Sequence, residues 1–206
     1  TAVGQESLQK NTTGASNTAV GYQALEESIT GVSNTAIGYQ ALTASTTGTS
    51  NVAVGAVALQ QLTDGDNNVA IGNEALQKNT TGDKNVAIGH QALEDSTTAS
   101  NNTAVGYLAM TSNTTGTSNV AVGYVALDAN LTGTANTALG YAALTSSTGD
   151  HNTAVGKSAL NATTTGQYNV AVGSSALDAN TTADNNTAIG YNSLGVNTTG
   201  GYNLAL

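Results

Sequence analysis

Residues 17–33 read NTAVGYQALEESITGVS, and residues 34–50 repeat the pattern as NTAIGYQALTASTTGTS. The pattern continues along the whole chain at intervals of 17 residues, with a single interval of 16. We name each interval a coil and number its residues as positions 1 to 17, starting from the asparagine. A fixed period of this length is typical of repeat proteins, in which each unit buries its apolar residues by stacking on the next.

Position 1 is asparagine in every coil that includes it. These residues are Asn17, Asn34, Asn51, Asn68, Asn85, Asn102, Asn119, Asn136, Asn152, Asn169, Asn186 and Asn203. If the coils lie in register, each asparagine lies above another, and the side-chain amides can pass hydrogen bonds along the stack. We therefore predict a structural ladder of asparagine side chains.

Position 5 is glycine in every coil that includes it. These residues are Gly4, Gly21, Gly38, Gly55, Gly72, Gly89, Gly106, Gly123, Gly140, Gly156, Gly173 and Gly190. We predict a bend here, because a side chain would clash or would force a disallowed backbone angle. Position 15 is also usually glycine, but Ala99 and Ala183 replace it, so this second turn needs a small residue more than a positive φ.

The residues between asparagine and glycine predict a β-strand. Position 3 is always alanine, and position 4 is always valine, isoleucine or leucine. Successive side chains of a strand point to opposite faces, so both faces of this strand are largely apolar. One face can fill the coil and the other can meet partner chains. Positions 8 and 9, alanine or serine followed by leucine, predict a second short strand, and we expect Val/Ile and leucine to form the interior.

The repeat is too short for a helical hairpin and lacks the helical spacing of apolar residues. It predicts an all-β parallel β-solenoid of about twelve coils, rising about 4.8 Å per coil. The unbroken period predicts a single repeat domain over residues 1–206, cut within a coil at both ends as if taken from a longer fibre. In-register stacking also predicts that Lys10 pairs with Glu27 and Lys78 with Asp95.

The large apolar residues of one coil are few, so a lone stack of coils is short of stability. We therefore predict homo-oligomerisation around a common axis, with three copies as the closed arrangement. The one missing residue lies between Leu144 and Gly149, which predicts an outer loop where a change of length disturbs no ladder.

Composition excludes several functions. Thirteen acidic residues oppose four lysines, for a net charge of −9, so the chain has no basic surface for nucleic acid or for an anionic membrane. No apolar run is long enough to insert into a membrane. His90 and His151 lie several coils apart, and Asp64, Asp66 and Asp83 fit a hydrated acidic edge better than a calcium site. We predict no catalytic residue, no cofactor, no metal and no enzymatic activity.

The signature Asn-x-Ala-Val/Ile-Gly resembles the head repeats of YadA-type trimeric autotransporter adhesins. Residues 17–25 (NTAVGYQAL) and 85–89 (NVAIG) carry this resemblance, which covers the entire chain. A longer form of the signature is NTAIGYQAL, as at residues 34–42, followed by an NTTG turn, as at residues 79–82. This form is similar to repeats of bacterial and phage tail-fibre proteins. The resemblance implies a left-handed β-roll assembled as a homotrimer. Adhesin heads of that family usually have a shorter unit.

These features predict a structural and adhesive segment of an extracellular fibre, at a cell or virion surface, that binds itself and a host-surface protein or glycan. Tyr107, Tyr124 and Tyr141 share position 6 in successive coils and form the candidate binding surface, because aromatic rings offer a rigid apolar face with a polar tip. The alternative interpretation is that these rings only cover the glycine bend.

Two other functions stay open. The first is a self-assembling extracellular filament that has no receptor. The second, more remote, is an ice-binding solenoid, which the threonine pairs at positions 13 and 14 suggest. Asn-x-Thr triplets such as those at Asn11, Asn79, Asn113, Asn130, Asn180 and Asn197 also match the acceptor pattern for N-glycans, although this composition produces such triplets by itself.

Overall fold

The structure, a computed structural model, describes residues 1–206. It is all-β without any helix, and it forms a parallel β-solenoid of about twelve coils of about 17 residues, as the sequence predicts. The chain divides into two compact units, Thr1–Asn102 and Thr103–Leu206. A single repeat domain over residues 1–206 stays a prediction.

Each unit is built from very short strands, one per coil. Unit 1 contains β1 (Ala2–Val3), β2 (Thr18–Val20), β3 (Thr35–Ile37), β4 (Val52–Val54), β5 (Val69–Ile71) and β6 (Val86–Ile88). Unit 2 contains β7 (Thr103–Val105), β8 (Val120–Val122), β9 (Thr137–Leu139), β10 (Thr153–Val155), β11 (Val170–Val172), β12 (Thr187–Ile189) and β13 (Leu204–Ala205). Within each unit, consecutive strands pair in parallel and in register, as Ala53 with Ala70.

The predicted second strand at positions 8 and 9 is wrong, because this segment consists of turns. Positions 7 and 9 have left-handed backbone angles, as in Gln40 (φ 49°) and Leu42 (φ 53°). Such angles cost a residue with a side chain roughly 1 to 2 kcal/mol. Hydrogen bonds to both neighbouring coils hold them: the Gln40 N–H donates to the Tyr22 carbonyl and the Leu42 N–H to the Ala58 carbonyl, each at 2.9 Å.

The interior of each coil is filled by alanine and leucine. In the coil that starts at Asn34, the residues Ala36, Ala41 and Leu42 are completely buried, and the equivalent residues of the other inner coils are buried in the same way. Alanine at position 3 lets the opposite wall approach closely, which leaves room for only one leucine per coil. The core is therefore a narrow column of small side chains around a row of leucines.

The expectation that the Val/Ile residues of position 4 lie in the interior is wrong. Ile37, Ile71 and Ile88 are 37 to 40% exposed, on the strand face opposite the buried alanine. Within one chain, nothing covers this face. Only the alanine face of each strand fills the coil, as alternation of side chains along a strand requires.

Glycine at position 5 is required for two reasons. Gly38 has a φ of +141°, and a Cβ built on it clashes with the carbonyl oxygen of Gly55 in the next coil. The turn at position 15 is different, since its glycines have no positive φ and Ala99 and Ala183 are accommodated there nearly buried. Smallness is therefore the requirement at position 15, as predicted.

The shortened coil keeps its contacts with its neighbours. The Asn152 N–H still donates to Asn136 Oδ1 at 2.9 Å across 16 residues, and Thr148 Oγ1 donates to the Thr164 carbonyl at 3.0 Å. Thr148 is exposed, whereas Ser147 beside it is buried. The deletion thus falls at the outer turn before Gly149 and disturbs no ladder, as predicted.

Two glycine substitutions separate the two requirements at position 5. In Gly190→Ala the added methyl group meets no atom within 4 Å, but the residue keeps a φ of +121°. We therefore expect the free energy of unfolding to fall only by the cost of this backbone strain, about 1 to 3 kcal/mol. Gly38→Ala adds the backbone clash, so we expect a clearly larger loss in the free energy of unfolding, measured by chemical denaturation. Equal losses for the two variants would show that the close approach of the coils is not tight.

Candidate functional site

The asparagine ladder is the most regular polar feature of the fold. Asn34, Asn51, Asn68 and Asn85 are completely buried. Each Oδ1 accepts the backbone N–H of the asparagine in the next coil, as from Asn68 to Asn51 Oδ1 at 2.9 Å. Each Nδ2 donates to the position 15 carbonyl of its own coil, as from Asn68 to Gly82 at 2.8 Å. One side chain therefore both closes its coil and joins it to the next.

This geometry differs from the expected chain of amide-to-amide bonds. Direct contacts between side-chain amides are present but longer, such as Asn68 Nδ2 to Asn51 Oδ1 at 3.2 Å. The shorter bonds go to the backbone, because a buried N–H and a buried carbonyl at every coil closure must each find a partner. The main role of the asparagine side chains is thus to provide hydrogen-bond partners for buried backbone groups.

A second buried polar column occupies position 12. Asn130 uses both ends of its amide there: Nδ2 donates to the Gly133 carbonyl at 3.0 Å and Oδ1 accepts the Gly133 N–H at 2.8 Å. Serine is too short to do both. The hydroxyls of Ser28, Ser45 and Ser96 are buried without a hydrogen-bond partner. This column was not singled out in the sequence because its residue type varies from coil to coil.

Lysines form the predicted ion pairs between neighbouring coils. Lys10 Nζ lies 2.6 Å from Glu27 Oε1, and Lys78 Nζ bonds to Asp95, with Glu94 at 3.3 Å. The hydrogen bond to the carboxylate raises the pKa of each lysine above its ordinary value. Both lysines are solvent-exposed, so these ion pairs contribute little to the stability of the fold.

Two further groups have shifted pKa values. The negative charge of Glu6 raises the pKa of Tyr22, since it disfavours a second negative charge nearby. Partial burial raises the pKa of Asp128, while a hydrogen bond with Thr111 opposes this shift. Tyr39 and Glu26 shift the pKa of Tyr22 in the same direction as Glu6.

Stacked tyrosines form two columns at position 6. In unit 1, the rings of Tyr22 and Tyr39 lie 5.5 Å apart between centroids. In unit 2, Tyr124 lies 5.4 Å from Tyr107 and 5.2 Å from Tyr141, with interplanar angles of 7° and 5°. The ring faces therefore cover one another, and solvent meets ring edges and hydroxyls. This surface suits hydrogen bonding better than ring-face stacking on a sugar.

Polar side chains run beside the tyrosines of unit 1, which sequence reasoning missed. Gln23 Nε2 donates to Glu6 Oε2 at 2.8 Å, Gln40 Nε2 to Gln23 Oε1 at 2.7 Å, and Gln60 Nε2 to Gln40 Oε1 at 2.9 Å. The signal was available, since glutamate or glutamine recurs at position 7 in this unit.

The other candidate residues are dispersed. His151 is exposed and stacks on Tyr168, with ring centroids 5.0 Å apart. Asp64 and Asp66 accept hydrogen bonds from Thr47 and Thr49 of the preceding coil. The structure has no group of three or more histidine and carboxylate side chains arranged for a metal ion, and it has no pocket. It contains no helix that could cross a membrane.

Four of the six named glycan acceptors are inaccessible, whereas Asn11 and Asn197 are half-buried. Asn79, Asn113, Asn130 and Asn180 all occupy position 12 and are completely buried. An attached sugar would have to pass through the wall of the coil, so glycosylation at these four asparagines is incompatible with the fold.

Comparison with known proteins adds no relative. No protein-family model matches the chain, and neither a curated protein nor a solved structure matches it.

The asparagine ladder predicts a large effect for a single truncation. Asn68→Ala removes the acceptor for the Asn85 N–H and the donor to the Gly82 carbonyl, which leaves both groups buried and unpaired. We expect the free energy of unfolding to fall by about 2 to 5 kcal/mol. Asn73→Ala, at an exposed position of the same coil, is the matched control and should change it by less than about 0.5 kcal/mol. Similar losses in the two variants would contradict the role of the ladder.

The position 12 column predicts a stabilising substitution. Ser28→Asn supplies an acceptor for the Gly31 N–H and a donor to its carbonyl, as Asn130 does for Gly133. We expect a gain of about 1 kcal/mol in chemical denaturation, and a loss of similar size for the reciprocal change Asn130→Ser. Destabilisation by Ser28→Asn would mean that the coil has no room for the longer amide.

Proposed function

We propose that this chain is a structural and adhesive segment of an extracellular fibre, at a cell or virion surface, in which three copies assemble around a common axis as left-handed β-rolls. The observation that carries the proposal is an exposed apolar stripe, which we define as the side chains of positions 2 and 4 along each unit. Ile37, Ile71 and Ile88 belong to this stripe in unit 1, and Val122, Leu139 and Ile189 in unit 2.

No charged residue lies on the apolar stripe. All thirteen acidic residues lie at positions 7, 10, 11, 14 and 16, and the four lysines lie at positions 6, 11 and 17. Positions 2 and 4 contain only threonine, valine, isoleucine and leucine in every coil. A face of this composition is costly to leave in water and costs little to bury against another apolar face.

A second copy of the chain is the partner that fits this stripe. The stripe repeats its apolar residues once per coil, so a complementary surface needs the same spacing over many coils. An identical chain offers that spacing, and closed rotational symmetry lets every copy bury its stripe at the centre. The acidic faces then point outward, where solvent separates their negative charges.

The outward faces would carry adhesion. Tyr107, Tyr124 and Tyr141 present 46 to 54% of their surface, with their hydroxyls in a row along the column. Such a row offers regularly spaced donors and acceptors to a host-surface protein or glycan. Resemblance to adhesin heads and tail-fibre repeats supports the same role. The scattered titratable groups offer no arrangement for catalysis, and no cofactor or metal takes part.

The trimer can be tested with one substitution on the stripe. We expect the wild-type chain to have three times the mass of a 20.3 kDa protomer in analytical ultracentrifugation. Ile71→Lys should give single chains, because three unpaired charges would be buried together at the axis. Thr81→Lys, at an exposed position 14 of the same unit, is the matched control and should remain a trimer.

A folded wild-type monomer would overturn the assembly proposed above. Fibres of indefinite length, seen by light scattering or electron microscopy, would instead favour the alternative of a self-assembling filament without a receptor. Thermal hysteresis in cold solution would favour the remote ice-binding alternative.

Adhesion can be tested at the tyrosine column. Replacing Tyr107, Tyr124 and Tyr141 by phenylalanine keeps the stacked rings and removes only the hydroxyls. We expect this variant and the triple serine variant both to lose most of their binding to host glycans or matrix proteins, measured on arrays. Undiminished binding by a folded triple serine variant would exclude this surface.

A further inference from the structure

The stacked tyrosines have a chemical property that adhesion does not use. The chain contains no cysteine and no tryptophan, and its single methionine, Met110, is completely buried. Tyrosine is therefore the side chain most open to a one-electron oxidant. Five of the eight tyrosines lie in the two position 6 columns, where each has another tyrosine as its stacking partner.

We infer that these columns are sites of oxidative cross-linking, at which a peroxidase with hydrogen peroxide joins tyrosines of adjacent coils as dityrosine. The inference is independent of the proposed adhesive and trimeric roles, since it concerns contacts within one chain. A carbon–carbon bond from coil to coil would add a covalent ladder to the hydrogen-bonded one.

The geometry suits this reaction. Rings that are parallel and in register hold each atom of one ring near the equivalent atom of the next, so the carbons beside the two hydroxyls lie on the same side. At centroid distances of 5.2 to 5.5 Å the rings lie face to face, so each pair must turn edge to edge about the Cβ–Cγ bonds to bring these carbons together. The rings of the unit 2 column are about half exposed, which leaves the hydroxyls accessible and the ring tips able to move.

The reaction balances with peroxide as the oxidant. Each of two tyrosines loses one electron and one proton from its hydroxyl to give a phenoxyl radical. The radicals form one bond between carbons adjacent to the oxygens, and each of these carbons passes its hydrogen to its own oxygen, which restores the aromatic ring. The pair has then lost two hydrogen atoms, which reduce one peroxide molecule to two water molecules.

The remaining tyrosines provide an internal comparison. Tyr191 and Tyr202 are 83% and 85% exposed, much more than the column rings, and neither stacks on another tyrosine. Tyr168 stacks on His151 instead. If exposure alone governed coupling, Tyr191 and Tyr202 would react first, and Tyr168 would react as readily as Tyr141, since both are 54% exposed. If stacking governs it, Tyr168, Tyr191 and Tyr202 would be spared.

The test is oxidation of the dilute native protein with a peroxidase and hydrogen peroxide. We expect dityrosine fluorescence, a loss of two hydrogen atoms per bond in the intact mass, and cross-linked peptides that join Tyr22 to Tyr39, and Tyr124 to Tyr107 or Tyr141. The chain should keep its 20.3 kDa mobility in denaturing electrophoresis, since the bonds lie within one chain.

Tyr124→Phe is the decisive variant, because it keeps the ring in the column but removes two of the three stacked tyrosine pairs. We expect its dityrosine signal to fall by at least half, with the Tyr22 to Tyr39 link unchanged, while Tyr191→Phe should leave the signal intact. Absence of dityrosine, links mapped mainly to Tyr191 or Tyr202, links between chains, or an undiminished signal in Tyr124→Phe would each overturn the inference.

Discussion

The buried asparagine that begins each coil is the contact on which the rest of the structure depends. Its amide uses both ends: the nitrogen closes the coil on the position 15 carbonyl, and the oxygen receives the backbone N–H of the next coil. Both partners are buried backbone groups that would otherwise lack a hydrogen bond. Because the same contact recurs within each unit, it fixes the register of the strands, and register in turn places like residues in columns.

Columns divide the surface of each unit into faces with different chemistry. Alanine and leucine fill the coil, valine and isoleucine form an uncharged outer stripe, and the acidic residues and tyrosines lie elsewhere. Such long uniform faces follow from the repeat, since the residue type at one position recurs in every stacked coil. The same recurrence makes a compact site of unlike residues hard to build. Assembly and surface contact are therefore the functions that we propose for this architecture.

The sequence predicted what the repeat itself determines. The 17-residue spacing gave the parallel stacking and the ion pair between Lys10 and Glu27, and the invariant glycine marked the bend at position 5. Ala99 showed that the other turn needs only a small residue. Each of these follows from one position compared across coils.

Features that depend on backbone conformation or on the shape of the coil were not predictable in this way. Leucine and glutamine are ordinary strand or helix residues, so nothing in Leu42 or Gln40 indicates a left-handed φ, and the sequence predicts a second strand there instead. The width of the coil interior determines which face of the strand fills it. Alanine fits the narrow interior, which leaves Ile37 outside, although both faces look apolar in the sequence.

The most direct test of the coil-to-coil register is native-state hydrogen exchange, followed residue by residue with NMR. The backbone amides of Asn34, Asn51 and Asn68 should exchange as slowly as the strand amides beside them, since each donates to a buried oxygen of the preceding coil. Exchange of these asparagine amides as fast as that of exposed turn residues would contradict the ladder and the stacking built on it.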